Sequence, residues 1–300
     1  MRPFLQIAAQ AAVLGVLLVA CGPAATPAPE GPAAVEPSVA ARGARDVIVE
    51  TYAAIRRGKP EGLLGLVDAA PLLAGPGADE VSTDRTATLV ALGQHLAASP
   101  KHKLTSRALR VQATPSGHAA WATDLVDLDG QRLAVAFVLI EADELWTIAA
   151  VHVGRPASKK EQDALLAAGV AAPAPWTPGP GPAPLLAAFR TSAASLAATA
   201  DALREEPPAI VVDVTGKART GAKAVRKAWK KALKSGVSYA VRADAHARTS
   251  ADGELGWVFG TLELDVDGKV LPIRVLHVMM PADDAASGWS LVASHQVIAR

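Results

Sequence analysis

The fold is decided by residues 118–153, HAAWATDLVDLDGQRLAVAFVLIEADELWTIAAVHV, which are rich in Val, Leu, Ile and Ala and contain one Asp-Gly pair. Apolar runs of this length, divided by turn residues, are typical of neighbouring β-strands. Asp129-Gly130 suits a type I′ hairpin, because that turn requires a positive φ at both central residues. The stretch therefore predicts an antiparallel meander that turns at Asp129-Gly130.

A second stretch repeats this pattern at residues 254–298, ELGWVFGTLELDVDGKVLPIRVLHVMMPADDAASGWSLVASHQVI. The two stretches align at four features: Trp121 with Trp257, Asp129-Gly130 with Asp267-Gly268, Trp146 with Trp289, and His152 with His295. The spacing from the later tryptophan to the histidine is the same even number in both stretches. Both side chains are therefore expected on one face of the closing strand.

Helical patterns precede the strands in each half of the chain. In the first half we expect helices over Ala44–Arg57, around Leu63–Val67 and over 85–98, and in the second half over 184–203 and 221–236. Helices followed by an antiparallel meander predict an α+β fold in which the helices pack on one face of the sheet. The domains predicted are 44–155 and 184–300, joined by a short helix and a Pro/Gly-rich linker over 156–183.

These halves resemble SnoaL-like domains of the nuclear transport factor 2-like superfamily. The resemblance rests on LLAGPGADEVSTDR (72–85) and ELWTIAAVHVGRP (144–156), and the first half matches better than the second. It implies two cone-shaped domains, each with N-terminal helices on a strongly bent antiparallel sheet and a pocket at the open end. Members of the superfamily cyclise polyketides, isomerise steroids, bind ligands or dimerise, so the fold alone implies no single reaction.

The N-terminal residues predict export and lipid anchoring. MRPFLQIAAQAAVLGVLLVAC has a charge at Arg2 and an uncharged run up to the only cysteine of the chain. Leu18-Val19-Ala20-Cys21 resembles the bacterial lipobox, which implies cleavage after residue 20 and acylation of Cys21. A Pro/Ala-rich tether is expected over 21–43, with the lipid bilayer as a partner. Gly22 resembles the signal for the outer membrane facing the periplasm, if the cell is Gram-negative.

Acidic and histidine side chains in the strands are the candidates for acid–base chemistry. In the first half these are His118, Asp124 and His152, and Asp124 is unusual because it interrupts an apolar strand. The second half offers a different set, Glu263, His277 and His295, with Gly260 at the position of Asp124.

Because the acids differ between the halves, we expect two diverged binding modules of the cell envelope rather than two active sites. The expected occupant is a small apolar ligand, an envelope polymer or a partner protein. The alternative is a SnoaL-type enzyme, a cyclase or isomerase, acting on a small apolar substrate through Asp124 with His118 or His152.

The aromatic and histidine side chains of the strands have two readings. They form the wall of a ligand pocket, or they form a surface through which two sheets pair, within the chain or in a homodimer. The side chains concerned are Trp121, Trp146, Trp257, Trp289, His152 and His295, and Glu263 and His277 are further candidates for the pocket wall.

The helix over 221–236 carries many cations and no acid, so it is either a surface for anionic lipid or wall polymer, or a solvated face. Its basic residues are Lys223, Arg226, Lys227, Lys230, Lys231 and Lys234. A net charge of +1 for the whole chain gives no reason to expect nucleic acid. No cofactor is expected, and no metal site, because the seven histidines are scattered without ligand spacing.

Overall fold

The computed structural model describes residues 37–75, 81–96, 101–170, 181–234, 239–266 and 269–299, and all of them fall within one compact unit. The helices are α1 (Pro37–Arg56), α2 (Arg85–Leu96), α3 (Lys159–Ala168), α4 (Ala183–Ala193), α5 (Leu196–Asp201) and α6 (Ala222–Lys234), with a 3₁₀ turn at Pro60–Leu63. Cys21 and the rest of the predicted signal lie outside the described residues. Among the helices that are described, none has the length and apolar character needed to cross a bilayer.

The strands form two separate sheets of seven strands each. The first contains β1 (Val67–Ala74), β2 (Val81–Ser82), β3 (Leu104–Ser106), β4 (Arg110–Ala113), β5 (Ala119–Leu128), β6 (Gln131–Ala142) and β7 (Leu145–Gly154). The second contains β8 (Ile210–Val212), β9 (Ala218–Thr220), β10 (Tyr239–Val241), β11 (His246–Thr249), β12 (Gly256–Val266), β13 (Lys269–Pro281) and β14 (Trp289–Ile298).

The two sheets have the same strand order. It is β2-β1-β7-β6-β5-β3 in the first sheet, where β4 also pairs with β5, and β9-β8-β14-β13-β12-β10 in the second, where β11 also pairs with β12. The register agrees as well, since Trp121 lies opposite Val138 and Trp257 opposite Val278. The α+β prediction with two sheet-based halves is therefore confirmed.

The predicted hairpin between β5 and β6 is also confirmed. Asp129 and Gly130 have φ values of 50° and 84°, the positive pair that a type I′ turn requires. The corresponding turn at Asp267-Gly268 lies outside the described residues.

Three helix predictions need correction. α1 begins at Pro37 rather than Ala44, because proline suits the first turn of a helix, where its missing N–H has no partner to lose. The short helix expected around Leu63–Val67 is a 3₁₀ turn that ends at Leu63, and Val67 already belongs to β1. The helix expected over 184–203 breaks at Ser195, whose extended backbone and hydroxyl cap α5 by accepting from the N–H of Ala198.

Each sheet contains one parallel strand that the sequence analysis did not predict. β1 runs parallel to β7, with Ala74 opposite His152, and β8 runs parallel to β14, with Val212 opposite His295. These strands are far in sequence from their partners, so no local turn signal marks the pairing.

Three large apolar clusters stabilise the described fold, one within each half and one between the two sheets. In the first half α1 packs on its sheet through Ile48 and Tyr52, and in the second α4 and α6 pack on theirs through Phe189 and Trp229. The third cluster draws side chains from both halves and lies between the two sheets. Its members include Trp121, Val138, Ala150, Trp257, Phe259 and Val292.

Equivalent positions of the two halves meet across this layer. The Nδ1 atoms of His152 and His295 are 3.0 Å apart, and Gly154, two residues beyond His152, lies against Val297, two residues beyond His295. At the other end of the layer the hydroxyl of Ser116 donates to Asp252 at 2.8 Å. Self-contact of equivalent positions is the mark of a two-fold interface, which here lies within one chain.

Candidate functional site

His152 and His295 are buried between the sheets and do not line a cone. They are 0% and 1% exposed, and their 3.0 Å contact requires one Nδ1 to donate and the other to accept. Burial, together with the neighbouring His295 and Arg274, holds the pKa of His152 well below its ordinary value. Burial likewise lowers the pKa of His295. The pair is therefore neutral and sealed from solvent, which suits a structural contact.

The expectation that Trp146 and His152 share a face is wrong, because a β-bulge lies between them. Val138 pairs with Ala150 but Leu139 pairs with Ile148, which leaves Ala149 as an extra residue on β7. Trp146 consequently faces the helices, where its indole lies against Gly43 of α1.

The second half repeats this bulge. Val278 pairs with Ala293 and Met279 with Leu291, so Val292 is the extra residue on β14. Trp289 packs on the helix side of its sheet, whereas His295 faces the other sheet. The same-face prediction fails here for the same reason.

Trp121 and Trp257 belong to the layer between the sheets rather than to a pocket wall. They are 0% and 2% exposed, and both are members of the shared cluster. The sheet faces that carry these two residues cover each other.

The three acid–base candidates of the first half do not converge. The Nδ1 of His118 lies 2.6 Å from Glu141, beside the start of β5 and the end of β6, and His152 lies between the sheets. Asp124 faces the helices, where it accepts hydrogen bonds from the hydroxyl of Tyr52 at 3.1 Å and from the N–H of Ala108 at 2.9 Å. Burial, and then the Asp124 carboxylate, raises the pKa of Tyr52. Asp124 thus connects both α1 and the segment before β4 to β5 by hydrogen bonds.

The candidates of the second half are dispersed too. His277 is fully buried on the helix side with its ring edge against Phe189, and burial lowers its pKa to about 3. It lies on the opposite face of the sheet from His295. Glu263 is half-buried near Arg242, with 3.8 Å between the carboxylate and the guanidinium.

The helix side of each sheet is filled by side chains among the residues that the structure describes. In the first half Tyr52 packs edge-on against Phe137, with 6.1 Å between ring centroids. In the second half Phe189 comes so close to Gly260 that a Cβ there would lie 2.8 Å from its ring. Aromatic side chains therefore occupy the described space between the helices and the sheet in both halves.

A groove of about 410 Å³ lies instead between the two halves, at a place that sequence reasoning missed. One side comes from β4 and β5, and the other from β8, β9 and the turn between them. Its lining includes Arg110, Thr123, Leu125, Val212, Lys217 and Arg219. No sequence signal marks the groove, because its two sides belong to different repeats.

The turn between β8 and β9 is fixed by contacts within itself and by contacts with Pro156 and Ala157. Asp213 accepts from the N–H of Thr215 at 2.9 Å and pairs with Arg219. Gly216 has a φ of 74° and packs on Pro156 of the first half. The N–H of Ala157 donates to the carbonyl of Val214 at 2.8 Å, which joins the halves again.

The cations of α6 that the structure describes are exposed. The exposed lysines are Lys223, Lys227, Lys230 and Lys234; the side chain of Lys231 lies outside the described residues. Arg226 is already engaged, because it donates to the carbonyl of Ala200 at 2.9 Å and lies 3.9 Å from Asp201. The apolar side of α6 packs through Val225 and Trp229. In the described part of the chain, no group of three His, Cys, Asp or Glu side chains is placed to hold a metal ion.

Comparison with known protein families finds a match in the first half of the chain. A family model described as a SnoaL-like domain matches residues 44–158. No curated protein matches the chain.

Solved structures similar to part of the chain include an NTF2-like protein of unknown function from Pseudomonas putida KT2440. It is 12% identical, with 42% of this chain and 94% of that chain covered and a TM-score of 0.38. An uncharacterized protein with a cystatin-like fold from Caulobacter vibrioides is also 12% identical, with 42% and 96% covered and a TM-score of 0.36. By the family match, residues 44–158 of this chain are similar to SnoaL-like domains.

Proposed function

We propose that the protein is a non-catalytic, envelope-anchored binding module in which two SnoaL-like halves are fused as an intramolecular dimer. The observation that carries the proposal is the dispersal of the acid–base candidates. His118, Asp124 and His152 each have a different neighbour and lie in three separate places. General acid–base catalysis needs such groups within hydrogen-bond reach of one substrate.

The second half supports the same conclusion by its divergence. It has the strand order of the first half, yet Gly260 stands where the first half has Asp124, and Phe189 fills the space beside it. A catalytic carboxylate is therefore absent from that position, whereas the contacts between the sheets occur at equivalent residues. The shared feature of the two halves is their pairing, which suits a scaffold that presents a binding surface.

The binding function is tested by native mass spectrometry of the full-length protein purified in mild detergent. We expect a small molecule bound at one copy per chain that is released when the protein is denatured. A protein that carries no bound mass, and regains none when incubated with an extract of envelope lipids and metabolites, would contradict the proposal. Turnover of a co-purified compound would instead favour the SnoaL-type enzyme.

The anchor is proposed from the N-terminal sequence alone. Two or more acyl chains hold a protein stably in a bilayer, because each buried CH₂ contributes about 0.8 kcal/mol. The Cys21→Ser variant should move from the membrane fraction to the soluble fraction and lose incorporation of labelled palmitate. An unchanged distribution would refute the anchor but leave the binding function standing. If the cell has an outer membrane, we expect the wild type there, facing the periplasm.

A further inference from the structure

We propose that the groove between the halves binds a small anionic amphiphile, with its acid group at Arg110 and Lys217 and its apolar body against Leu125 and Val212. This inference rests on the proposed binding function and gives it a site and a ligand class. The site lies between the two repeats, outside the interior of either one.

The charges of the groove favour an anion. Arg110 and Lys217 are exposed, and no carboxylate among the described residues pairs with either of them. Arg110 makes a single described contact, in which its Nη1 donates to the hydroxyl of Thr220 at 2.6 Å. Arg219 uses its Nη1 on Asp213, and no described residue accepts from its Nη2. Several donors therefore remain for a carboxylate, sulfonate or phosphate.

The acid in the groove wall does not cancel these charges. The Oδ1 of Asp124 accepts the N–H groups of Ala108 and Leu125 at 2.9 and 2.7 Å, and its Oδ2 accepts the hydroxyl of Tyr52. Asp124 is only 4% exposed, so its carboxylate is directed into the protein. The cations face solvent and the anion does not.

A second observation points to a ligand independently of charge. Thr123 lines the groove and is 2% exposed, yet its hydroxyl has no hydrogen-bond partner among the described residues. A buried hydroxyl without a partner costs about 1–3 kcal/mol, so such groups usually have one. An acceptor atom of a bound molecule would supply that partner.

The aliphatic side chains that line the groove favour a ligand with an apolar part. Leu125 and Val212 contribute aliphatic surface from opposite halves, and a volume of about 410 Å³ falls within the range of small-molecule sites. A molecule with one acid group and a compact apolar or aromatic body fits both the size and the lining.

The test uses two fluorescent probes on the full-length protein, anionic 8-anilinonaphthalene-1-sulfonate and uncharged N-phenyl-1-naphthylamine. We expect one sulfonate site per wild-type chain and at least tenfold weaker binding of the neutral probe. Lys217→Glu should weaken sulfonate binding at least tenfold, and Thr123→Val should weaken it severalfold. Lys234→Glu, the same charge change at the far end of α6, should leave it unchanged. Ala108→Trp, at an exposed position in the groove, should abolish it, and far-UV circular dichroism verifies the fold of each variant.

The outcomes separate this inference from the proposed function. Equal affinity for the two probes, or full sulfonate binding by Ala108→Trp, would overturn the anionic groove. The proposed binding function would still hold if native mass spectrometry finds a small molecule bound to the wild type. A wild type that binds neither probe and retains no mass would overturn both. A retained molecule that carries an acid group and is lost from Ala108→Trp would support both.

Discussion

Replacing His277 by Phe should make the protein more resistant to acid, because this histidine is held neutral in the fold. It is fully buried, neither ring nitrogen has a partner among the described residues, and its pKa is lowered to about 3 by burial. In the unfolded chain its pKa is about 6.5. Phe is a suitable replacement because Phe137 occupies the equivalent position of the first half.

The sign of the effect follows from proton binding. Below pH 6.5 the unfolded chain binds a proton at His277 and the folded protein does not. The free energy of unfolding therefore decreases as the pH is lowered, until the pKa of the folded state is reached. The loss is about 1.4 kcal/mol per pH unit, or about 2 kcal/mol between pH 7 and pH 5. His152 and His295 add to the loss in wild type and variant alike, so the difference between the two proteins isolates His277.

The assay is urea unfolding at pH 7 and pH 5, followed by fluorescence of the six tryptophans. The free energy lost between the two pH values should be about 2 kcal/mol smaller in His277→Phe than in the wild type. His277→Leu, which removes the same titration with a smaller side chain, should give the same difference. Equal losses in all three proteins would contradict this prediction, because they would show that His277 titrates in the folded protein as it does in the unfolded chain.

Three other predictions can be tested by similar means. Gly154→Val should lower the free energy of unfolding by about 2 kcal/mol or more, because a Cβ there lies 2.0 Å from Val297. Adding Val297→Ala should restore part of the loss. Gly65→Ala should have no effect, because no atom lies within 4 Å of a Cβ at that position. Tyr52→Phe should cost about 1–2 kcal/mol through the lost hydrogen bond to Asp124, and an unchanged urea midpoint would contradict that contact. In the unacylated Cys21→Ser protein, removing the four exposed lysine charges of α6 should reduce sedimentation with phosphatidylglycerol vesicles by at least tenfold; equal sedimentation would show that this face is only solvated. The variant is Lys223, Lys227, Lys230 and Lys234 to Gln. The control is Lys59, Lys101, Lys159 and Lys160 to Gln.

The parts of the fold that local patterns specify were predictable. Asp129-Gly130 specifies its own hairpin because glycine accepts the positive φ. The apolar stripe of α6 likewise follows helical spacing, and Val225 and Trp229 are buried as that spacing requires. The duplication was visible because Trp121 and Trp257 stand at the same place in equivalent strands.

The candidate site was less predictable, because it depends on features without a local signal. The extra residue Ala149 reverses the face of the strand between Trp146 and His152, and nothing in the sequence Ile-Ala-Ala-Val distinguishes a bulge from regular alternation. The groove depends on Thr123 of one half lying near Lys217 of the other. Contacts between repeats follow from how the sheets pair, which no single repeat encodes.

The meeting of equivalent residues has a consequence for how this chain evolves. In an assembly of two identical subunits, any substitution on the symmetry axis arises twice and faces its own copy. Two copies of the second half would set Asp252 against Asp252 and Val297 against Val297, a repulsion and a steric conflict. Covalent linkage removes that constraint, since the hydroxyl of Ser116 donates to the carboxylate of Asp252 and Gly154 leaves space for Val297. The surface of the second half thus fits the first half but does not fit a second copy of itself.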